Sequence, residues 1–232
     1  RLHGLFAGGT LAQEALLGLL PWLGPIASNL SLPGALPLAD PAAGGAHLLL
    51  DLGADELTLG RPHPMLDEGV RHERLAAAAI DPAVGLVLLD IVLGDGAHPD
   101  PAGELAPAIR AARQAAAGAG RPLDVVAILV GTDDDPQGLG AQAERLQAAG
   151  ARVVRSVGEA VQYAVATLSS TTGESAGPPV PLDALAAPVV VNVGLEGFHR
   201  ALAAQGARSI QVDWRPPAGG DERLGRLLER MR

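Results

Sequence analysis

The sequence predicts a three-layer α/β fold built on a parallel sheet, and three observations carry that reading. Short aliphatic runs alternate with Ala/Leu/Arg/Glu-rich stretches along the chain, the pattern of repeated βαβ units. Several of the runs, such as Val87-Leu88-Leu89 and Val125-Val126-Ala127-Ile128-Leu129-Val130, are apolar at consecutive positions, as strands covered on both faces must be. Asp or Thr stands before the helical stretches and Gly after them, where the free amides and carbonyls of helix ends need partners.

In chain order, the first strand is expected over Leu2–Ala7, followed by a Gly8-Gly9 turn, Thr10 as N-cap and a helix over Leu11–Leu20. Gln13 and Glu14 make this an amphipathic core helix rather than a signal peptide. Pro21–Gly45, rich in Pro, Gly and Ala, is expected to be an ordered surface loop with short helical pieces. There follow strand His47–Leu52, helix Glu68–Ile80 capped by Asp67, and strand Gly85–Leu93. Helix Pro101–Ala119 has Asp100 as N-cap, Pro101 at its first position and Gly120 behind it. Strand Leu123–Val130 leads to helix Pro136–Ala149, with Asp135 as N-cap and Gly150 at the end, then strand Arg152–Ser156 and helix Val157–Leu168. Ser169–Pro181 reads as a linker between a main body, residues 1–168, and a C-terminal βαβα unit, residues 182–232. That unit contains strands Pro188–Val193 and Ser209–Asp213, helix Leu195–Gln205 closed by Gly206, and helix Asp221–Met231 with Asp221 as N-cap. It is too small for a core of its own and is expected to pack on the main domain. The start at Arg1 reads as that of a piece excised from a longer protein.

Composition excludes whole classes of chemistry. None of the 17 basic residues is a lysine, which removes a Walker-type phosphate lysine, a Schiff base and a pyridoxal anchor. The absence of cysteine removes thiolate nucleophiles, disulfides and thiolate metal sites. A net charge of −9 and only five aromatic residues argue against a nucleic-acid binder. No apolar run reaches the roughly 20 residues that span a bilayer.

In a parallel α/β sheet, ligands bind beyond the carboxyl ends of the strands, and the polar and glycine residues of this chain gather in those loops. Gly8, Gly9 and Thr10 form either a tight capped turn or an anion cradle at a helix start. In Gly60-Arg61-Pro62-His63-Pro64-Met65, two prolines fix the backbone around His63, either a candidate acid/base, phosphoryl acceptor or anion ligand or the histidine of a rigid loop that merely bonds backbone, and Arg61 is suited to a carboxylate or phosphate. Asp90 is the one carboxylate in an apolar run and must be paired or hydrogen-bonded. It is followed by Gly94-Asp95-Gly96-Ala97-His98, whose acidic and imidazole spacing matches no strong metal motif, so no metal is expected. Gly131-Thr132-Asp133-Asp134-Asp135 places three aspartates at a strand end, of which capping explains only Asp135. Trp214-Arg215-Pro216-Pro217 is either a wall or anion clamp beside the site or plain packing of Trp214. The serine-hydrolase elbow, HExxH, GxGxxG and EF-hand patterns are absent.

Six blocks in order, GLFAGGTLAQEA (4–15), LGRPHPMLD (59–67), LLDIVLGDGAHPDPA (88–102), VGTDDDPQ (130–137), VNVGLEGF (191–198) and VDWRPPAGGDERL (212–224), resemble the C-terminal half of the FdrA family. That family is similar to the alpha subunit of succinyl-CoA synthetase and other nucleoside-diphosphate-forming acyl-CoA ligases. The resemblance implies a flavodoxin-like ligase domain, preceded in the family by a Rossmann-like CoA-binding domain. No cofactor is then expected within this chain, and CoA or nucleotide would enter only through that upstream domain or through partner subunits. In the superfamily a histidine carries the phosphoryl group, in a Gly-His-Ala-Gly stretch after the strand matching Leu123–Val130. The corresponding GTDDDPQGLGAQA (131–143) has no histidine. The supporting glutamate of the superfamily falls near Asp90, which would orient His63, the nearest histidine candidate. The family is also associated with ureide catabolism and with carbamoyl transfer between oxalurate and phosphate, chemistry that needs oxyanion and phosphate clamps more than a covalent histidine. The resemblance thus implies a ligase- or transferase-like cytoplasmic protein with a small anionic substrate. Gly8, Gly9, Thr10, Arg61, Gly94, Gly96, Gly131, Thr132, Asp133 and Arg215 would bind substrate or phosphate, with His63 and Asp90 catalytic. The alternative is a regulatory or assembly module that keeps the fold without the catalysis.

Overall fold

The computed structural model describes residues 1–39, 45–169 and 189–213. The chain divides into two compact units, Arg1–Thr172 and Gly173–Arg232.

The first unit is a seven-stranded parallel sheet in the order β3-β2-β4-β1-β5-β6-β7. Its strands are β1 (Leu2–Phe6), β2 (Ile26–Ser28), β3 (Leu36–Pro37), β4 (His47–Asp51), β5 (Leu86–Val92), β6 (Asp124–Val130) and β7 (Arg152–Val154). Stripped of the edge pair β2–β3, the order β4-β1-β5-β6-β7 is the flavodoxin-like 2-1-3-4-5 arrangement. Its strand order reverses at β1, which pairs β4 on one side and β5 on the other.

Consecutive apolar residues in β5 feed opposite layers. Val87, Leu89 and Ile91 pack under α3 (Gly69–Ile80), α4 (Pro101–Gly118) and α5 (Leu139–Ala148), with Leu75, Leu105, Ile109 and Leu146 from the helices. Leu86 and Leu88 pack on the other face under α1 (Gly9–Leu23) and α6 (Val157–Leu168), with Leu16, Leu19 and Ala160. Two apolar layers on one sheet account for the unbroken hydrophobic runs.

Asp100 caps α4 as its sequence suggested, accepting the Gly103 N–H at 3.0 Å with Pro101 in the first turn. Other expectations need correction. The described residues of Pro21–Gly45 hold the last turn of α1, as the expected helical pieces allowed, and also the short strands β2 and β3, which were not expected. These strands are three and two residues long, below what an alternation pattern can reveal. A short helix, α2 (Asp55–Thr58), lies between β4 and α3. Thr10 is not an N-cap: α1 starts at Gly9, the cap is Gly8, and Thr10 stands exposed in the first turn. Asp135 does not cap α5 either, because the helix starts only at Leu139 behind Gly138, at φ +72°. Asp67 sits one residue before the cap Glu68, and its Oδ1 accepts the Gly69 N–H at 2.9 Å.

In the second unit, β8 (Val189–Val193) and β9 (Arg208–Val212) pair in parallel around α7 (Glu196–Ala204), a single βαβ unit. The expected helix Asp221–Met231, Trp214, Arg215 and most of the Ser169–Pro181 linker lie outside the described residues. Among the described residues no helix is long and apolar enough to cross a membrane.

Ile109 is fully buried on α4 between that helix and the sheet. Ile109→Ala is expected to destabilise the fold by about 2–5 kcal/mol, transfer and cavity terms together. The denaturation midpoint should fall accordingly, with an unchanged slope against denaturant.

Candidate functional site

Because all seven strands run the same way, the loops after β1, β4, β5 and β6 emerge at one edge of the sheet. Gly8, Gly9 and Thr10 follow β1, His63 follows β4, Gly94 and Gly96 follow β5, and Gly131, Thr132 and Asp133 follow β6. The crevice at the reversal of strand order is formed by the first three of these segments.

Close approach fixes its walls. A Cβ on Gly53, just past β4, would stand 2.3 Å from the Ala7 carbonyl oxygen and 2.5 Å from His63 Nε2, so only glycine lets the three segments meet. A Cβ on Gly9 would stand 3.0 Å from Asp51 Oδ2, so the β1–α1 turn passes against the carboxylate that ends β4. Asp51 is itself held: Oδ1 accepts the Gly53 N–H at 3.0 Å, and the Asn29 side chain meets its backbone carbonyl and amide at 2.8 and 3.0 Å. His63 is half-buried and its Nδ1 accepts the Met65 N–H at 3.2 Å. An imidazole that accepts at Nδ1 carries its proton on Nε2 when neutral.

Asp90, 1% exposed, lies beneath this crevice near the end of β5. Its Oδ1 accepts the Ala7 N–H at 2.7 Å, which ties β5 to the end of β1. Its second partner is Arg71 of α3, also buried: Nη1 stands 3.8 Å from Asp90 Oδ1 and donates to the Asp90 carbonyl, and Nη2 donates to the Pro64 carbonyl at 3.2 Å. Arg71 Nε also faces Glu68 Oε2 at 3.0 Å, without the alignment of a hydrogen bond. Burial pushes both carboxyls up, Glu68 to about 7, against the pull of Arg71. Two buried carboxylates and one guanidinium cannot all be ionised without a net charge in the interior. The proton belongs on Glu68, since Asp90 has the Ala7 amide as well as Arg71.

The structure thus brings His63, Gly8, Gly9 and Asp90 together, but Asp90 and His63 communicate through Arg71 and the Ala7–Gly53 contact, not side chain to side chain. Arg61 is directed to Glu73 of α3, at 3.3 Å with both side chains exposed. The β5 and β6 loops are joined by Gln137, whose side chain pairs both backbone groups of Gly94 at 3.1 and 2.8 Å. Gly94 and Gly96 have φ of +137° and +83°. His98 N–H donates to the Met65 carbonyl at 2.8 Å, which connects this loop with that of His63. Asp135 closes the Thr132 turn by accepting its N–H at 2.6 Å, while Thr132 and Asp133 are exposed. Among the described residues no group of three or more His, Asp or Glu is placed to hold a metal ion.

Sequence reasoning missed Asp51, Glu68, Arg71 and Arg155. Arg155 follows β7 and donates to the Gly131 carbonyl at 2.8 Å, so a guanidinium stands at the β6 loop. Arg71 could have been suspected from the helix pattern: it lies four residues before Leu75 and seven before Ala78, on the face that packs inward.

A family model described as CoA-ligase matches residues 5–167, which takes in the sheet and both helical layers from β1 to α6. A protein of Escherichia coli (strain K12), the uncharacterized protein YahF, is 39% identical over 149 residues, 64% of this chain and 29% of that protein. The chain therefore spans less than a third of the length of that relative.

Two predictions test the geometry. Gly53→Ala should cost about 1–3 kcal/mol, because the new methyl must displace either the Ala7 peptide or the His63 ring, and thermal unfolding measures it. Glu68 has a raised carboxyl pKa in the fold, so its contribution to stability is complete below its unfolded value near 4.5 and is lost as pH rises through about 7. The Glu68→Gln variant should therefore gain in unfolding free energy relative to the parent as pH rises from 5 to 8, by a few kcal/mol at most. A difference independent of pH would contradict the assignment.

Proposed function

Since the chain belongs to the CoA-ligase family, we propose that it is the ligase part of an FdrA-type, acyl-CoA synthetase-like protein. Its substrate is a small carboxylate or carbamoyl compound, activated through acyl-phosphate-type chemistry in the crevice over β1, β4 and β5. The observation that carries this reading is His63: a proline-framed imidazole at the reversal of strand order, with Nδ1 occupied by the Met65 amide and the proton left on Nε2. An N–H held there serves an oxyanion, as a hydrogen-bond donor, better than it serves as a phosphoryl acceptor. This agrees with the lack of a histidine in residues 131–143.

For carbamoyl transfer the step is phosphorolysis of oxalurate. A phosphate oxygen attacks the carbamoyl carbonyl, the tetrahedral oxyanion collapses, and the C–N bond to oxamate breaks. The proton of the attacking hydrogen phosphate passes to the leaving nitrogen while His63 Nε2–H hydrogen-bonds the oxyanion and keeps its own proton, giving carbamoyl phosphate and oxamate. Gly8, Gly9 and Thr10 at the start of α1 receive the anionic groups through backbone amides, with Gly94, Gly96, Gly131, Thr132 and Arg61 on the surrounding rim. Asp90 keeps the Ala7 end of β1 in place. CoA and nucleotide, where the full protein uses them, are supplied from outside this domain or by companion subunits, in a cytoplasmic assembly.

The test is incubation of the protein with oxalurate and phosphate, with and without companion subunits, reading carbamoyl phosphate. Turnover is expected, and His63→Ala should lower it by about 10²–10³-fold, the range of one hydrogen-bond donor to an oxyanion. Full turnover in that variant would remove His63 from the chemistry. A phosphoryl group found on His63 by mass spectrometry would replace the donor role with a carrier role. No turnover under any condition would favour the second reading, an assembly module, which the missing family histidine also supports.

A further inference from the structure

The Pro64–Met65 peptide is gripped at both ends. Its carbonyl accepts from Arg71 Nη2 at 3.2 Å, and its N–H donates to His63 Nδ1 at 3.2 Å. Donation to a peptide carbonyl polarises the unit and strengthens its N–H as a donor, so a guanidinium on one side is felt by the imidazole on the other. Pro64 is buried and lacks an N–H of its own, and its ring fixes φ, so the peptide has little freedom to turn away. Arg71 is itself immobilised: it is 2% exposed, donates to the Asp90 carbonyl and is flanked by the Asp90 and Glu68 carboxyls.

We infer that Arg71 is the positioning residue of this site: through the Pro64–Met65 peptide it fixes the His63 ring with its proton on Nε2, and Glu68 controls how much of its charge reaches that peptide. The inference rests on the proposed role of His63 only for its consequence in catalysis. An ionised Glu68 competes with the Pro64 carbonyl for the guanidinium, and a protonated Glu68 releases it. The other charged groups around Glu68 are Asp67 beside it in sequence, Asp90 on β5 and Glu104 on α4, all acidic, and Asp51 on β4 acts on Asp90. The three acidic neighbours favour the protonated form of Glu68, as does burial, which brings its titration into the neutral range.

The experiment is ¹⁵N and ¹³C NMR of histidine-labelled full chain across pH 5–9, with the His63 signals among those of the six histidines identified by His63→Asn. The expected wild-type result is an Nε2–H tautomer at His63 and a second inflection near pH 7 that belongs to Glu68. Glu68→Gln should remove that inflection, and Arg71→Lys, which keeps a charge but loses the planar fork, should give a mixture of tautomers. In the carbamoyl phosphate assay Arg71→Lys should lower kcat about 10-fold with KM little changed. His63 signals and titration identical to wild type in Glu68→Gln, or in a folded Arg71→Lys, overturn the inference. Should Arg71→Lys fail to unfold cooperatively, Glu68→Gln alone decides. Changed His63 signals without any turnover would support the positioning role while removing the proposed reaction, so the two can fail separately.

Discussion

Asp90 sits 1% exposed near the end of the central strand β5, and a carboxylate placed there must find its partners inside the fold. It finds two, the Ala7 amide at the end of β1 and the Arg71 guanidinium from α3. Each partner comes from a different element, so one buried charge fixes the end of β1, the register of α3 on the sheet, and through Arg71 the Pro64 backbone. A hydrophobic residue of similar volume would leave the Ala7 amide without a partner and Arg71 with Glu68 as its remaining buried counter-charge, at a cost beyond the loss of one hydrogen bond. The ion cluster therefore specifies the arrangement of the crevice more than it stabilises the domain.

The two sides of the carboxyl edge are built differently. On the β1–β4 side, backbone and side chains approach so closely that glycine is required at residue 53, and Asp51 is tied to Asn29 and Gly53. On the β5–β6 side the loops are bridged by Gln137 and by the Asp135–Thr132 turn, with Asp95, Asp133 and Asp134 exposed to water. The first side has rigid walls around an N–H donor. The second is acidic at its tip and offers glycine amides and the Arg155 guanidinium at its base. The helix start at Gly9 also lies against a carboxylate, that of Asp51, so both sides of this edge set acidic groups beside their glycine amides.

Much of this architecture was legible in the sequence, because its cause is local. Strands buried on both faces have to be apolar throughout, so β5 and β6 were read within a residue of their ends, and α6 was read over its whole length. The parts that could not be read depend on tertiary pairing. β2 and β3 are strands only because β4 offers an edge, and Pro37 with its missing N–H is tolerated at the outermost position. The capping of α1 and α5 went to Gly8 and Gly138, where backbone conformation outweighed the side-chain preference of Thr10 and Asp135. In the site, Asp90 stood out as a charge in an apolar run, and His63 by its two prolines. Glu68 and Arg71 did not, since an acidic and a basic residue three apart on an amphipathic helix is the ordinary pattern of a solvated pair. The spacing of Arg71 from Leu75 and Ala78 hints at an inward face, and the ion pairs beneath α3 establish it.

The absence of lysine acquires a structural meaning from the hydrogen bonds its replacements make. Arg121 donates to the Ala78, Ala79 and Val84 carbonyls, so it satisfies the C-terminal end of α3 and the turn behind it. Arg113 donates to the Gly150 carbonyl, Arg155 to that of Gly131, and Arg71 to those of Asp90 and Pro64. Each guanidinium reaches one to three carbonyls at the end of an element, which a planar fork does with less loss of freedom than a rotating ammonium. These four basic groups are thereby committed to backbone carbonyls. Arg155 is the instructive case, because it is exposed and its contact with Gly131 leaves the remaining guanidinium N–H groups beside the β6 loop. The β6 loop is thus a hydrogen-bonded turn with an arginine at its base and two exposed aspartates, Asp133 and Asp134, at its tip.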